Sequence, residues 1–238
     1  MNKIILHIPH SSTKLPAEFW EHVCVDKNVV EEFNLLITDL YTDELYGEND
    51  YKKVIAPYSR IYCDLERFSD DENEIMSQFG MGVIYSKTVN GTTFIKPTTI
   101  YKKTILETYY KSYHKKLDDY IAKSLNKSCD TILIDCHSFS KDIIMFDDKK
   151  QNLPDICLGF DNQYYSSRLI EYMQNYFSKL GYKVALNYPY IGTMIPDAYY
   201  NAKKQGLSCV MIEINKQIYL NGIQKITHFF TLKTEINQ

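Results

Sequence analysis

The chain has 238 residues, a formal net charge of −3 and a 45% hydrophobic composition. That length supports a substantial core. The mildly acidic balance excludes a polyanion-binding signature and with it nucleic acid, and no run approaches the roughly 20 apolar residues of a membrane span. Six cysteines without a Cys-x-x-Cys pair, and an N-terminus without a cleavage-site pattern, predict reduced thiols in the cytoplasm.

Residues 3–8 read as a strand that Pro9 ends, since proline cannot continue a central ladder. His10 is thereby delivered on a turn, whereas His7 lies inside the strand pattern and reads as structural. Residues 28–46 carry Val29, Val30, Phe33, Leu36, Ile37, Leu40 and Leu45 at a 3.6-residue period, so a helix is expected, with Asp39 and Asp43 on one face. Residues 52–56 read as a strand. Ser59 to Arg67 interleaves charged and apolar side chains, as a strand end lining a polar cleft would. Asn90-Gly91 predicts a hairpin pairing 83–88 with 92–96. A long helix is expected over 104–127.

Thr131-Ile-Leu-Ile134 reads as a strand buried on both faces, with Asp135, His137 and Ser138 arriving where it would stop. Alternation puts Asp135 and His137 on one side and Cys136 on the other. A short apolar run at 143–146 and a turn at 147–152 follow. Strands are expected at 154–159, 183–187 and 207–212, the last ending on Glu213, and helices at 163–180, stopped by Gly181, and at 218–232. Tyr188 to Thr193 reads as a rigid polar loop. Without repeats or linkers, residues 1–238 are expected to form one α/β domain, its mostly parallel or mixed central sheet flanked by helices.

Four predicted strand ends thus finish on ionisable groups: His10; Arg60 with Asp64 and Arg67; His137; and Glu213. In open α/β sheets ligands bind at the carboxyl ends of strands. A lone Asp-x-His divides evenly between a hydrogen-bonded core histidine and a functional one. Two histidines and a carboxylate from separate segments, however, are the makings of an open zinc site. Glu213 can then serve as general base, and the arginines suit two-pronged carboxylate recognition.

Motifs spread over nearly the whole chain resemble the N-formylglutamate amidohydrolase family. They are Ile8-Pro9-His10-Ser11, Asp39 in Asp-Leu-Tyr-Thr-Asp-Glu-Leu, Ser59-Arg60 with Asp64-Leu65-x-Arg67, Tyr113-His114, Asp135-x-His137-Ser138-Phe139, Pro154-Asp155 with Gly159, Asn187-x-Pro189 with Gly192, and Ile212-Glu213-Ile214-Asn215. Each motif is weak; together and in order they are specific. That family in turn resembles zinc carboxypeptidases and aspartoacylases, which implies a carboxypeptidase-like fold.

The resemblance implies one Zn2+ per chain held by His10, Asp39 and His137. Glu213 would be general base and then proton donor to the leaving amine. Arg67, with Arg60, would bind the substrate carboxylate, Asp64 would orient the arginine pair or the metal's outer shell, and Asn187 with its loop would contact substrate. The expected reaction is hydrolysis of a formyl-type amide of a small, acidic amino-acid substrate by zinc-activated water. A carboxypeptidase-like hydrolase and a non-catalytic binding protein on the same scaffold are the alternatives. Three positions depart from the pattern: Ser12 replaces a glycine, Lys216 an arginine, and Asp64-Leu65-Glu66-Arg67 carries Glu66 in place of asparagine, adding a carboxylate beside Arg67.

Overall fold

A computed structural model describes residues 3–46, 51–126, 130–141, 152–200, 202 and 204–220. Its contacts gather into two compact units, Met1–Ile8 with Tyr41–Val54 and Leu117–Gln238, and Pro9–Leu40 with Ile55–Lys116. The run expected at 143–146, the turn up to residue 151 and most of the closing helix lie outside the described residues.

The first unit is built on a six-stranded mixed sheet: β1 (Lys3–Ile8), β2 (Lys52–Ile55), β3 (Thr131–Phe139), β4 (Ile156–Gly159), β5 (Val184–Leu186) and β6 (Leu207–Asn215), in the order β2-β1-β3-β6-β4-β5. β1, β3 and β6 run parallel, and β4 lies antiparallel to β6 and parallel to β5. The expected α/β class with a mixed sheet is what the chain adopts.

Alternation along the strands gives this sheet two different faces. Leu6 and Ile8 of β1, Ile134 and Cys136 of β3, and Val210, Ile212 and Ile214 of β6 enter one buried apolar cluster. They pack there with Leu45 of α3 (Thr42–Leu45), Ile170 and Phe177 of α6 (Ser167–Lys179) and Tyr219 of α7 (Gln217–Leu220). Each fully buried leucine or isoleucine of such a cluster contributes about 1.5–3 kcal/mol relative to exposure. The opposite face carries His7, Asp135, His137 and Glu213, which are register partners: His7 lies beside Asp135, and His137 beside Glu213.

Two sequence expectations are corrected here. β3 does not stop at Asp135 nor β6 at Ile212; the two ladder together from Thr131↔Leu207 to Phe139↔Asn215. The polar residues do not end the strands because Asp135, His137 and Glu213 fall on one face while the other keeps its apolar run, where Ser138 accepts from the Tyr219 hydroxyl. β4, β5 and α6 sit close to their expected places. Ser166 caps α6 by accepting a hydrogen bond from the Leu169 amide, and Gly181 follows its end with φ +89°.

The second unit contains α1 (Ala17–Trp20), α2 (Lys27–Ile37) and α4 (Thr99–Ile105). α2 buries Val30, Phe33 and Ile37, and the Phe33 ring meets Phe94 at 5.4 Å and Tyr85 at 6.4 Å. The helix expected over 28–46 is broken in two. Thr38 turns extended at φ −70°, ψ 137°, its hydroxyl donates to the Asn34 carbonyl, and Tyr41 takes a left-handed φ of +64° before α3. Asp39 and Asp43 therefore do not share a helix face.

Three further expectations change. Ser59 to Arg67 is a succession of turns with no strand. The Asn90-Gly91 turn forms, with Gly91 at φ +84° and the Thr88 amide donating to the Thr92 carbonyl. Beyond it only isolated bridges form, such as Lys87↔Thr93. The ladder does not extend because its backbone groups are bonded elsewhere: the Val83 carbonyl accepts from the Asp64 amide, and the Ser86 and Lys87 amides donate to Gly80. The long helix starts earlier than expected, at Thr99, passes through a π-helical turn at Leu106–Tyr110, and continues as α5 (Lys111–Leu125).

Candidate active site

In the second unit, α2 positions the segments that carry the chemistry. Its buried Asn34 donates to the Thr13 carbonyl and accepts from the Ser59 hydroxyl, tying the loop after His10 to the turn that holds Arg60. The break after Ile37 then has a use: the Asp39 amide donates to the His10 carbonyl at 2.9 Å. Asp39 therefore lies beside His10 because the helix stops, and both are almost wholly buried.

Asp64 is the hub of this group and is fully buried. Its Oδ1 receives His10 Nε2 at 2.9 Å and the Glu66 amide at 3.1 Å. Its Oδ2 accepts from Arg60 Nε at 3.1 Å, Arg60 Nη2 at 2.8 Å and the Tyr85 hydroxyl at 2.8 Å, with Arg67 Nε 3.7 Å away. Burial alone would push its carboxyl up, but Arg60, His10 and Arg67 outweigh that and hold it well below the ordinary carboxylate range. Burial likewise disfavours charge on Arg60, yet Asp64, Tyr85 and Asp39 keep it protonated well above its ordinary value. Arg67 is paired more loosely. Its Nη1 is 3.9 Å from Glu74, and its side chain keeps 26% of its exposure, against 15% for Arg60.

An ionised Asp64 can only accept, so the proton of a neutral His10 sits on Nε2 and the lone pair on Nδ1. Around Nδ1 stand Asp39 Oδ2 at 3.7 Å and Glu66 Oε2 at 3.6 Å. Donor atoms held at 2.0–2.1 Å by a tetrahedral zinc lie roughly 3.4 Å apart, so the spacing and the nitrogen–oxygen donor set fit such an ion. A carboxylate behind the ligating histidine is the usual second partner of a metal-bound imidazole.

The first unit repeats this construction. Asp135 Oδ1 receives His137 Nε2 at 2.9 Å and His7 Nδ1 at 2.8 Å, and its Oδ2 accepts from the Met194 amide at 3.0 Å. Burial would raise the Asp135 pKa, but His137 and His7 bring it well below the ordinary range. A neutral His137 thus also carries its proton on Nε2, with Nδ1 as its basic atom. Glu213 is buried beside His137 on the next strand. Across from Glu213 on β4, the Cys157 thiol is pushed up to about 11, first by burial and then by the Glu213 charge. It stays protonated at neutral pH and is no nucleophile.

Asn187, at a left-handed φ of +50°, accepts from the Phe160 and Gly192 amides through Oδ1, which fixes the loop that follows β5. Asn215 braces the end of β6: its amide nitrogen donates to Pro154 and its Oδ1 accepts from Gln217.

Three residues support this group from a distance. His7, which reads as structural, is buried and bonded to Asp135, beside which the register of β1 and β3 sets it. Tyr85 and Asn34 carried no sequence signal, since their partners are 21 and 25 residues away.

The family model for N-formylglutamate amidohydrolase matches residues 2–220. An N-formylglutamate amidohydrolase from Ralstonia eutropha JMP134 superposes with a TM-score of 0.75 at 21% identity, over 97% of this chain and 89% of the other. A gene product from Agrobacterium tumefaciens gives 0.69 at 18%, over 98% and 88%. No curated protein sequence matches the chain. The match of the family model over nearly all of the chain, with this fold, places the protein in the N-formylglutamate amidohydrolase family.

Proposed function

We propose that this chain is a zinc-dependent amidohydrolase that cleaves a formyl-type amide of an amino acid, with His10, Asp39 and His137 as the metal ligands. The observation that carries this reading is the like construction of the two histidines. Each is buried, each has Nε2 on an ionised aspartate, and each therefore offers Nδ1 as a ligand atom. A bound zinc supplies Lewis acidity toward the acyl carbonyl and makes a neighbouring water more acidic.

The chain supplies the rest. Glu213 takes a proton from the attacking water as the new C–O bond forms. It returns that proton to the amide nitrogen as the C–N bond breaks, which yields formate and a free amino acid. Arg67 pairs with the substrate's carboxylate. Arg60 spends Nε and Nη2 on Asp64 and so backs this arrangement, adding its charge to the carboxylate site. Asn187 and its loop contact the acyl amino acid. Membership of an amidohydrolase family supports the reading; among the described residues no helix is long and apolar enough to cross a membrane.

Metal analysis of purified protein tests the ligand set. Wild type is expected to hold about one equivalent of zinc, and His10→Ala or His137→Ala to lose it. A protein that contains no metal and cannot be reconstituted would favour a non-catalytic binding role. A second test concerns the carboxylate. Arg67→Ala is expected to raise KM about 10- to 100-fold for formyl amino acids, while kcat and the KM of the corresponding amino-acid amides change little.

A further inference from the structure

Arg67 is anchored by its backbone and open at its head. Its amide donates to the Asp64 carbonyl at 3.3 Å, and its own carbonyl accepts from the Tyr110 hydroxyl at 2.9 Å. The next amide, of Phe68, donates to Glu74 Oε2 at 3.1 Å. The guanidinium is held differently. Its Nε is buried yet meets no hydrogen-bond acceptor among the described residues; the carboxylates of Asp64 and Glu74 stand 3.7 Å and 3.9 Å from its nitrogens. Glu74 is itself tied down, its Oε1 accepting from the Met76 amide and its Oε2 from Phe68. A fixed root and a partly exposed, unbonded head suit a side chain that receives a carboxylate.

Of these anchors only Tyr110 comes from outside residues 64–76, and its helix is deformed where it stands. The Lys111 amide donates to the Leu106 carbonyl, five residues back, in the π-helical turn at Leu106–Tyr110. A regular helix would set Ile105 and Tyr110 roughly 140° apart, yet both are buried. Single π turns of this kind are frequent at functional sites. The turn sends neighbouring tyrosines to different tasks: Tyr109 packs against Tyr58 and Tyr62, each at 5.6 Å, while Tyr110 reaches Arg67. Tyr113-His114, a motif to which the chemistry above gives no role, follows directly. The His114 ring lies against the Tyr110 ring with centroids 4.2 Å apart, and Tyr113 meets His114 edge-on at 6.0 Å. This packing fixes the Tyr110 ring and with it the direction of the hydroxyl.

We propose that Tyr110 is a positioning residue for substrate binding: through the Arg67 carbonyl it holds the guanidinium where the substrate's carboxylate arrives. The proposal rests on the amidohydrolase reading above and deepens it, adding a residue that acts on affinity for the carboxylate and not on bond cleavage.

The test uses zinc-loaded full-length protein. Tyr110→Phe removes the hydroxyl and keeps the ring on His114. It is expected to raise KM for N-formyl-L-glutamate about 3- to 10-fold, as the loss of one hydrogen bond does. The kcat, the zinc content and the KM of the uncharged diamide should stay as in wild type. On an Arg67→Ala background the same change should add nothing, because the residue it acts through is gone. Tyr110→Met, which fills similar space, gives the same readout should the first variant not fold.

Calorimetry with L-glutamate supplies a readout that does not depend on turnover. Wild type should bind it about 3- to 10-fold tighter than the variant, and Arg67→Ala should abolish the difference. If N-formyl-L-glutamate is not hydrolysed but this pattern of binding holds, the reaction assignment falls and the positioning role stands. An unchanged KM, an equal rise for the diamide or a further loss on the Arg67→Ala background overturns the proposal. So does a wild type that neither hydrolyses N-formyl-L-glutamate nor binds L-glutamate.

Discussion

Asp64→Asn is expected to cost about 3–5 kcal/mol of stability, measured by urea unfolding at neutral pH, because it removes the charge that several buried donors are built around. An asparagine side chain has one acceptor oxygen, whereas Asp64 accepts from His10, Arg60, Tyr85 and the Glu66 amide through two. Its amide hydrogens would be aimed at groups that themselves donate. Arg60, almost wholly committed to Asp64, would become a buried cation without its anion. Zinc affinity is expected to fall about 10- to 100-fold in the same variant, since the partner that fixes the His10 tautomer is gone. The same residue gives wild type an acid sensitivity. The Asp64 carboxyl is lowered in the folded protein, so its stabilisation is fully present above the unfolded carboxylate pKa of 3.8 and is lost as pH falls through the lower folded value. Asp135, also held well below that value, acts in the same direction. A variant as stable as wild type, with zinc affinity unchanged, would show that Asp64 is not the hub.

Glu213→Gln is the second large effect expected. The substitution keeps volume and shape on β6, so the variant should fold, hold its zinc and bind substrate with a similar KM. What it loses is the group that can take a proton, and kcat for formate release should fall about 10²- to 10⁴-fold. The partition matters more than the total: a loss confined to kcat is the signature of an interaction made in the transition state. Zinc content measured alongside separates this from simple damage to the site. If the variant releases formate at the wild-type rate, another residue is the base.

Much of this architecture is legible in the sequence because short-range rules govern it. The period of two along 131–139 and 207–215 separates core from polar positions, and that same period places Asp135 and His137 on one side of β3. The residues around His10, Asp39, Arg60, Arg67, His137 and Glu213 stand out because chemistry-bearing side chains interrupt otherwise apolar patterns. What local pattern does not reveal is set by tertiary bonding. The apolar period through 28–46 reads as one helix, yet the Thr38 hydroxyl and the pairing of Asp39 with the His10 backbone end it early. Polar residues suggested that β3 and β6 stop at Asp135 and Ile212, whereas each strand gives the other reason to continue. The aspartate behind His10 could not be assigned from spacing, because Asp64 lies 54 residues away, whereas Asp135 sits two residues from His137 on the same strand.

The two-sidedness of β3 has a consequence for how this protein can change over generations. Ile132, Ile134, Cys136 and Ser138 answer to the helices beneath them, while Asp135 and His137 answer to the polar network on the opposite face, where the proposed metal site lies. Even-numbered sites are therefore free to drift with their packing neighbours, odd-numbered ones are pinned, and the two sets exert little pull on each other. A point substitution can respect that partition, but the gain or loss of one residue within the strand cannot: beyond that point it would exchange the two sets, turning the imidazole toward the oily side.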